Sequence, residues 1–318
     1  MIKCHLFESL GSHKVSLLGG GRNNRVLLVE SESGKNVAKQ FSQEKVSQGK
    51  FDREVAFLEF CGTLSAAPVP KLVMHCPDHG VVITSFENGS SSQTIIGDQA
   101  RQILSFLMLI NQNSQAESFF SDLYALESLF SRDNFQESID VRTARISANN
   151  FSRWQDSKIF EEVDSVTALY LSSDQYRDDL EALDELIEST TRTIFGRKFL
   201  SPSDLGSHNI LNRGGKLVFL DFEYSGLDSG INLLGDTITQ PDTCWAPGAR
   251  ETFIHELMTS LFAVSGCDIA PVERLFTLRW VLIMIMRAQN PVYPSVQSQL
   301  LVSLAKYVGD SQLRDYRR

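Results

Sequence analysis

A chain of 318 residues with 42% hydrophobic side chains is long enough to bury one large or two medium cores, and its composition carries no disorder signature. A net charge of −9 argues against partners that select a basic face, so neither nucleic acid nor a membrane surface is expected as a ligand. Soluble small-molecule chemistry is the class that fits. The cysteines Cys4, Cys61, Cys76, Cys244 and Cys267 share no repeated spacing, which points to reduced thiols and a cytoplasmic setting. The opening MIKCHLFESLGSHK has no apolar signal region, and the longest apolar run, WVLIMIM between Arg279 and Arg287, falls far short of the ~18–20 residues that span a bilayer.

In chain order, residues 15–41 alternate as strands do: VSLL, a glycine-rich turn GGGRNN, RVLLVES, a turn ESGK, and NVAKQF. FDREVAFLEF follows with helical spacing at Phe51, Val55, Phe57, Leu58 and Phe60, ending at Gly62, and KLVMH and GVVITSF add two strands around HCPDH. The polar cluster ENGSSSQ places a boundary near residue 88, between a small sheet-rich unit (1–88) and a larger one (89–318). From about 97 to 196 the pattern is helical, with DQARQILSFLMLINQ, AESFFSDLYALESLF and DDLEALDELIESTTRTIF as its clearest segments and Gly196 placed to end the last. The acids from Asp178 to Glu188 suit a solvated helix face, or attraction of a cationic substrate. NILN and KLVFLDF then read as a hairpin turned at Arg213-Gly214-Gly215, and the rest from INLLGD onward as helix.

That hairpin sets Asn209 opposite Leu220, so Asn209 and Asp221 emerge at the same open end. Asp204, in the loop SPSDLGSHN, precedes Asn209 by a short step. Three oxygen-bearing side chains can therefore converge, enough to hold Mg²⁺ and orient a nucleophile. GGGRNN can close backbone N–H groups on phosphates without a Cβ clash, and Lys39 shares a strand face with Val37 and Phe41, so its ammonium can point to a cleft while Val37 covers an adenine ring. Glu54 on the next helix is the natural partner for Lys39. HCPDH reads as a hairpin turn rather than a zinc site, and Ser203 lacks the surroundings of a nucleophile.

The order of glycine-rich hairpin, strand lysine, helix glutamate, Asp-x4-Asn loop and LDFE resembles the kinase-like small-molecule phosphotransferases, in the aminoglycoside phosphotransferase and choline kinase branch, over roughly residues 15–240. The resemblance implies an α+β, bilobal protein-kinase-like fold: a small antiparallel-sheet N-lobe (1–88) binding the nucleotide, and a larger, mostly helical C-lobe (89–318) carrying the catalytic loop and substrate site. It implies ATP and Mg²⁺, and transfer of the γ-phosphate to a hydroxyl of a small molecule: a sugar, an amino sugar or another hydroxylated metabolite. Gly20, Gly21, Asn23, Asn24, Lys39 and Glu54 would serve the nucleotide, with Lys39 on the α and β phosphates and Glu87 and its neighbours near the base. Asp204 would take or orient the acceptor proton. Asn209 and Asp221 would ligate Mg²⁺, Glu223 would support the metal or substrate, and Asp236 would match a structural aspartate. The family's histidine two residues before the catalytic aspartate is Pro202 here, so Ser201, Pro202 and Ser203 must brace the loop; the alternative is a pseudokinase, a nucleotide-sensing or partner-binding module.

Overall fold

The computed structural model describes residues 13–18, 24–91, 94–112, 115–147, 157–193 and 198–288. Strands β1 (His13–Leu17), β2 (Arg25–Ser31) and β3 (Gly34–Gln40) form where the sequence alternates, followed by helices α1 (Gln43–Ser47) and α2 (Lys50–Thr63), then β4 (Leu72–Cys76) and β5 (Val81–Ser85). The five strands make one antiparallel sheet in the order β1-β2-β3-β5-β4. Its apolar face buries Leu27, Val29, Ala38, Cys76, Val81 and Ile83. This is the residue set that period-two alternation selects.

Short strands β6 (Ser90–Ser91) and β7 (Thr94–Ile95) lead to α3 (Gly97–Gln112) and α4 (Gln115–Phe119). The helical segments α5 (Arg132–Ser147), α6 (Ser157–Leu171) and α7 (Asp174–Thr193) come next. Strands β8 (Phe199–Ser201), β9 (Ile210–Arg213), β10 (Lys216–Phe219) and β11 (Gly226–Asp228) precede α8 (Gly230–Thr239), β12 (Cys244–Trp245), α9 (Ala249–Glu256) and α10 (Ala270–Ala288). Gly214 and Gly215, at φ 60° and 89°, make the tight turn between β9 and β10, with both central residues at positive φ. Gly196 lies outside the described residues.

The expected class holds: an antiparallel N-terminal sheet is followed by a mostly helical C-terminal part, as in kinase-like folds. One segment departs from its pattern. AESFFSDLYALESLF spaces its apolar residues like a helix, yet only Gln115–Phe119 is helical, and Tyr124 instead forms a parallel bridge with Leu227. Leu227 N–H donates to Leu123 O at 2.9 Å and Ala125 N–H to Leu227 O at 3.0 Å. A helix this short is marginal alone, so backbone pairing with a neighbouring strand displaces it.

The chain packs as two compact units, one of residues 1–93, 98–128 and 199–227, the other of 94–97, 129–198 and 228–318. In the first, phenylalanines join helix to hairpin: Phe57 of α2 stacks on Phe222 at 4.3 Å between ring centroids, and Phe106 of α3 on Phe219 at 4.4 Å. In the second, α5, α7, α8 and α10 share a core that includes Phe135, Leu183, Ile231, Phe276 and Val281. Asp179, within the acidic stretch of α7, is buried rather than solvated: Arg274 donates to it from Nε at 2.7 Å and Nη2 at 2.5 Å, and the Tyr170 hydroxyl at 2.5 Å. Asp236 pairs with Arg279, which also donates to Asn232 Oδ1 at 3.0 Å.

Asp228 is wholly buried and accepts from Leu129 N at 3.0 Å, Ser229 N at 2.8 Å and the Asn232 amide. Burial pushes its carboxyl up to about 7, against the opposing effect of those donors. As pH rises from about 4, the unfolded chain releases this proton first. The group's contribution to stability is therefore full below pH ~4 and lost as pH climbs through ~7. In urea unfolding between pH 4 and 7, Asp228→Asn is expected to flatten the pH slope of stability by up to about one proton relative to wild type. Identical slopes for the two proteins would contradict this.

Candidate active site

Lys39 is the next-to-last residue of β3, in register with Val26 of β2 and Val82 of β5. Its Nζ lies 4.8 Å from the centre of the Phe41 ring, two residues along, as expected for neighbours on one strand face. Glu54 lies on the buried face of α2, three residues before Phe57. Because Phe222 stands between Asp221 and Glu223, the Phe57–Phe222 stack that seats the helix also sets the two acids against it.

The outcome is a compact charged centre. Lys39 Nζ donates to Glu54 Oε2 at 2.5 Å and to Asp221 Oδ1, and it lies 3.3 Å from Glu223 Oε2. Burial alone would draw the Lys39 ammonium down, but Asp221, then Glu54 and Glu223, outweigh it and hold the group above its ordinary value. Glu54 is pushed up to about 7, chiefly by burial, with Asp221 and Glu223 adding to it and Lys39 opposing. A lysine held this firmly stays charged and fixed, as a phosphate-binding group requires.

Among the described residues, one group of three acids could hold a metal ion: Glu54, Asp221 and Glu223, whose oxygens lie within 4.8 Å of one another. The donor chemistry fits a hard divalent cation, since three carboxylates gathered this closely face more negative charge than Lys39 alone balances. The three are not equally open. Glu54 is committed to Lys39, and Glu223, 2% exposed, receives the Asn24 amide as well as approaching Lys39 and Lys50. Asp221 is the accessible one, its side chain 41% exposed, on a backbone held at φ 63°.

The Asp204 loop joins this centre through the hairpin. Leu220 N–H donates to Asn209 O at 2.9 Å, which is the predicted register, so Asn209 and Asp221 leave the same end of β9 and β10. The Asn209 amide donates to Asp204 O at 3.0 Å and holds the loop closed on itself. Asp204 remains 27% exposed at its side chain, with Oδ1 accepting from Gly206 N at 3.4 Å and Oδ2 lying 3.4 Å from His208 Nε2.

Gly20, Gly21 and Asn23 lie outside the described residues. Asn24, the last residue of that loop, is brought to the centre: it donates to Glu223 and accepts from Lys45 Nζ at 3.1 Å. Glu87 accepts from Ser85 Oγ at 2.9 Å and pairs with Arg213 at 3.1 Å. Around HCPDH the chain makes a hairpin, with Cys76 Sγ 3.2 Å from His79 Nδ1 and His75 turned to Glu59. Sequence reasoning missed Lys45 and Lys50. Lys50 is buried, donates to the Tyr224 hydroxyl at 2.8 Å and lies 4.3 Å over that ring, while burial and the neighbouring lysines pull Lys45 down. Nothing in SQEKVSQGK marks either lysine, because both meet their partners only across the fold.

A lysine on the third strand, a helix glutamate bound to it, and a hairpin presenting Asn and Asp at its open end are set on a kinase-like fold of the α+β class. No protein-family model and no curated protein matches the chain. Solved structures match it along nearly its whole length. They include a candidate aminoglycoside phosphotransferase of Ralstonia eutropha JMP134, at 14% identity and TM-score 0.57, covering 94% of this chain and 90% of that one. A choline kinase of Cryptosporidium parvum Iowa II matches at 14% identity and TM-score 0.55, covering 93% and 88%. A spectinomycin phosphotransferase, solved with ADP and spectinomycin, matches at 14% identity and TM-score 0.53, covering 96% and 97%. At such identities the shared property is the fold. No helix among the described residues is long and apolar enough to cross a membrane.

Proposed function

We propose that this chain is a small-molecule phosphotransferase of the aminoglycoside phosphotransferase and choline kinase kind, moving the γ-phosphate of ATP to a hydroxyl of a sugar, amino sugar or other hydroxylated metabolite. The observation that carries the reading is the meeting of Lys39, Glu54, Asp221 and Glu223, drawn from a strand, a helix and a hairpin up to 184 residues apart in the chain. Fold-mates named as a choline kinase and a spectinomycin phosphotransferase support it, the second solved with ADP and spectinomycin.

In this reading residues 1–88 bind the nucleotide and 89–318 supply the catalytic loop and acceptor site. Lys39, kept charged and placed by Glu54, contacts the α and β phosphates. Asn209 and Asp221 would hold Mg²⁺, with Glu223 behind them fixing Lys39, Lys50 and Asn24. When bound there, the ion neutralises phosphate charge as transfer proceeds. Asp204, open to solvent beside a loop closed by Asn209, receives or orients the acceptor hydroxyl's proton. Most of the rate then comes from positioning and charge balance.

The test is binding first and transfer second. Mg-ATP at about 100 times its Kd is expected to raise the melting temperature by roughly 4 °C, and Asp221→Ala to abolish the rise. A phosphotransfer screen over hydroxylated metabolites then finds the acceptor. The absence of any shift with either Mg-ATP or Mg-GTP would remove the nucleotide from the reading, and binding without turnover on any acceptor would favour a nucleotide-sensing module.

A further inference from the structure

The loop that carries Asp204 has no histidine two residues upstream, yet it is not loose. Ser201, Pro202 and Ser203 are all buried. Ser203 holds φ 64°, a left-handed backbone that side-chain-bearing residues adopt only when their surroundings compel it. Its neighbours do so. Ser203 N–H donates to Ser201 Oγ at 3.0 Å, Ser203 O accepts from Leu205 N at 3.0 Å, and Ser203 Oγ donates to Tyr224 O at 3.0 Å.

The last of these bonds crosses from one functional segment to the other. Ser203 directly precedes Asp204, and Tyr224 directly follows Glu223. Tyr224 is itself anchored, since its carbonyl also accepts from Leu126 N at 3.2 Å and its ring and hydroxyl are engaged by Lys50. We propose that Ser203 is a positioning residue: its hydroxyl bolts the Asp204 loop to the Asp221–Tyr224 segment and thereby fixes Asp204 relative to the charged centre. The proposal rests on the phosphotransferase reading for its catalytic consequence, but its structural part stands on these bonds alone.

Glycine at 203 would take up the same backbone without strain but has no hydroxyl. Serine keeps the strained conformation and uses the hydroxyl as a tie. Stability and positioning therefore separate in two variants. Ser203→Gly is expected to melt at or above the wild-type temperature and Ser203→Ala below it, whereas both lower kcat by about 10–100-fold with the KM for ATP changed less than about threefold. A Ser203→Gly enzyme with wild-type kcat would show that Ser203 acts only through stability and overturn the proposal.

Amide hydrogen exchange on the same substrate-free proteins keeps the two readings apart. Exchange at Leu205, Asn209 and Leu220 is expected to quicken about fivefold in both variants, the effect of one lost hydrogen bond. Unchanged exchange overturns the tie whether or not the wild type turns over ATP. Faster exchange in a protein that transfers no phosphate upholds the tie and counts against the phosphotransferase reading.

Discussion

Asp204→Asn is expected to lower the rate of phosphoryl transfer by about 10²–10⁴-fold, the span over which a positioned general base contributes. Asparagine keeps the shape and can still accept from Gly206 N, so the loop closed by Asn209 and tied by Ser203 is expected to persist. The affinity for Mg-ATP should then change less than about threefold, because Lys39, Glu54 and Asp221 are untouched. Steady-state kinetics together with nucleotide titration separate these effects. Turnover within a factor of a few of wild type would take Asp204 out of the chemistry and leave Lys39 and the carboxylates as a binding site alone.

The largest stability effect is expected at Gly226→Ala. A Cβ at this position would lie 2.4 Å from Ala125 N and Tyr124 C and 2.7 Å from Leu123 O, in a backbone at φ 155°. These are main-chain atoms, pinned by the bonds between Leu227 and residues 123 and 125, so no side chain can swing aside to make room. The expected loss is about 3 kcal/mol or more in urea unfolding. Gly214→Ala is the matched control. It also sits at positive φ, 60°, but nothing lies within 4 Å of its would-be Cβ, so only about 1 kcal/mol is expected to be lost. Equal losses in the two variants would mean that backbone conformation, not the close approach of 123–125, governs the cost at Gly226.

The same close approach accounts for what was misread between residues 116 and 130. Apolar spacing in that segment satisfies a helix as well as a chain laid against a strand, and local propensity cannot choose between them. The choice is made by Gly226, a hundred residues downstream, whose missing Cβ lets Leu227 bond to Leu123 and Ala125. The acids of α7 teach a similar lesson: a run that reads as a solvated face holds one member, Asp179, buried against Arg274 and Tyr170.

The sequence by itself determined the five strands of the N-terminal sheet and the β9–β10 hairpin, the turn at Gly214-Gly215, and the pairing of Asn209 with Leu220, because each is set by spacing within a few residues, whereas the short strands β6, β7, β8, β11 and β12 came only with the fold. It also singled out Lys39 and Glu54 as a pair, from a strand face and the helix after it, and Asp221 from the open end of the hairpin, while the ion pair between Asp221 and Lys39 came only with the fold. Only the tertiary structure decided that Glu223 is buried between Lys39, Lys50 and Asn24 while Asp221 stays accessible, and that Ser203 reaches Tyr224. Those outcomes depend on the Phe57–Phe222 stack and on contacts between segments far apart in the chain. Side-chain packing at that distance leaves no periodic trace in the residues that make it.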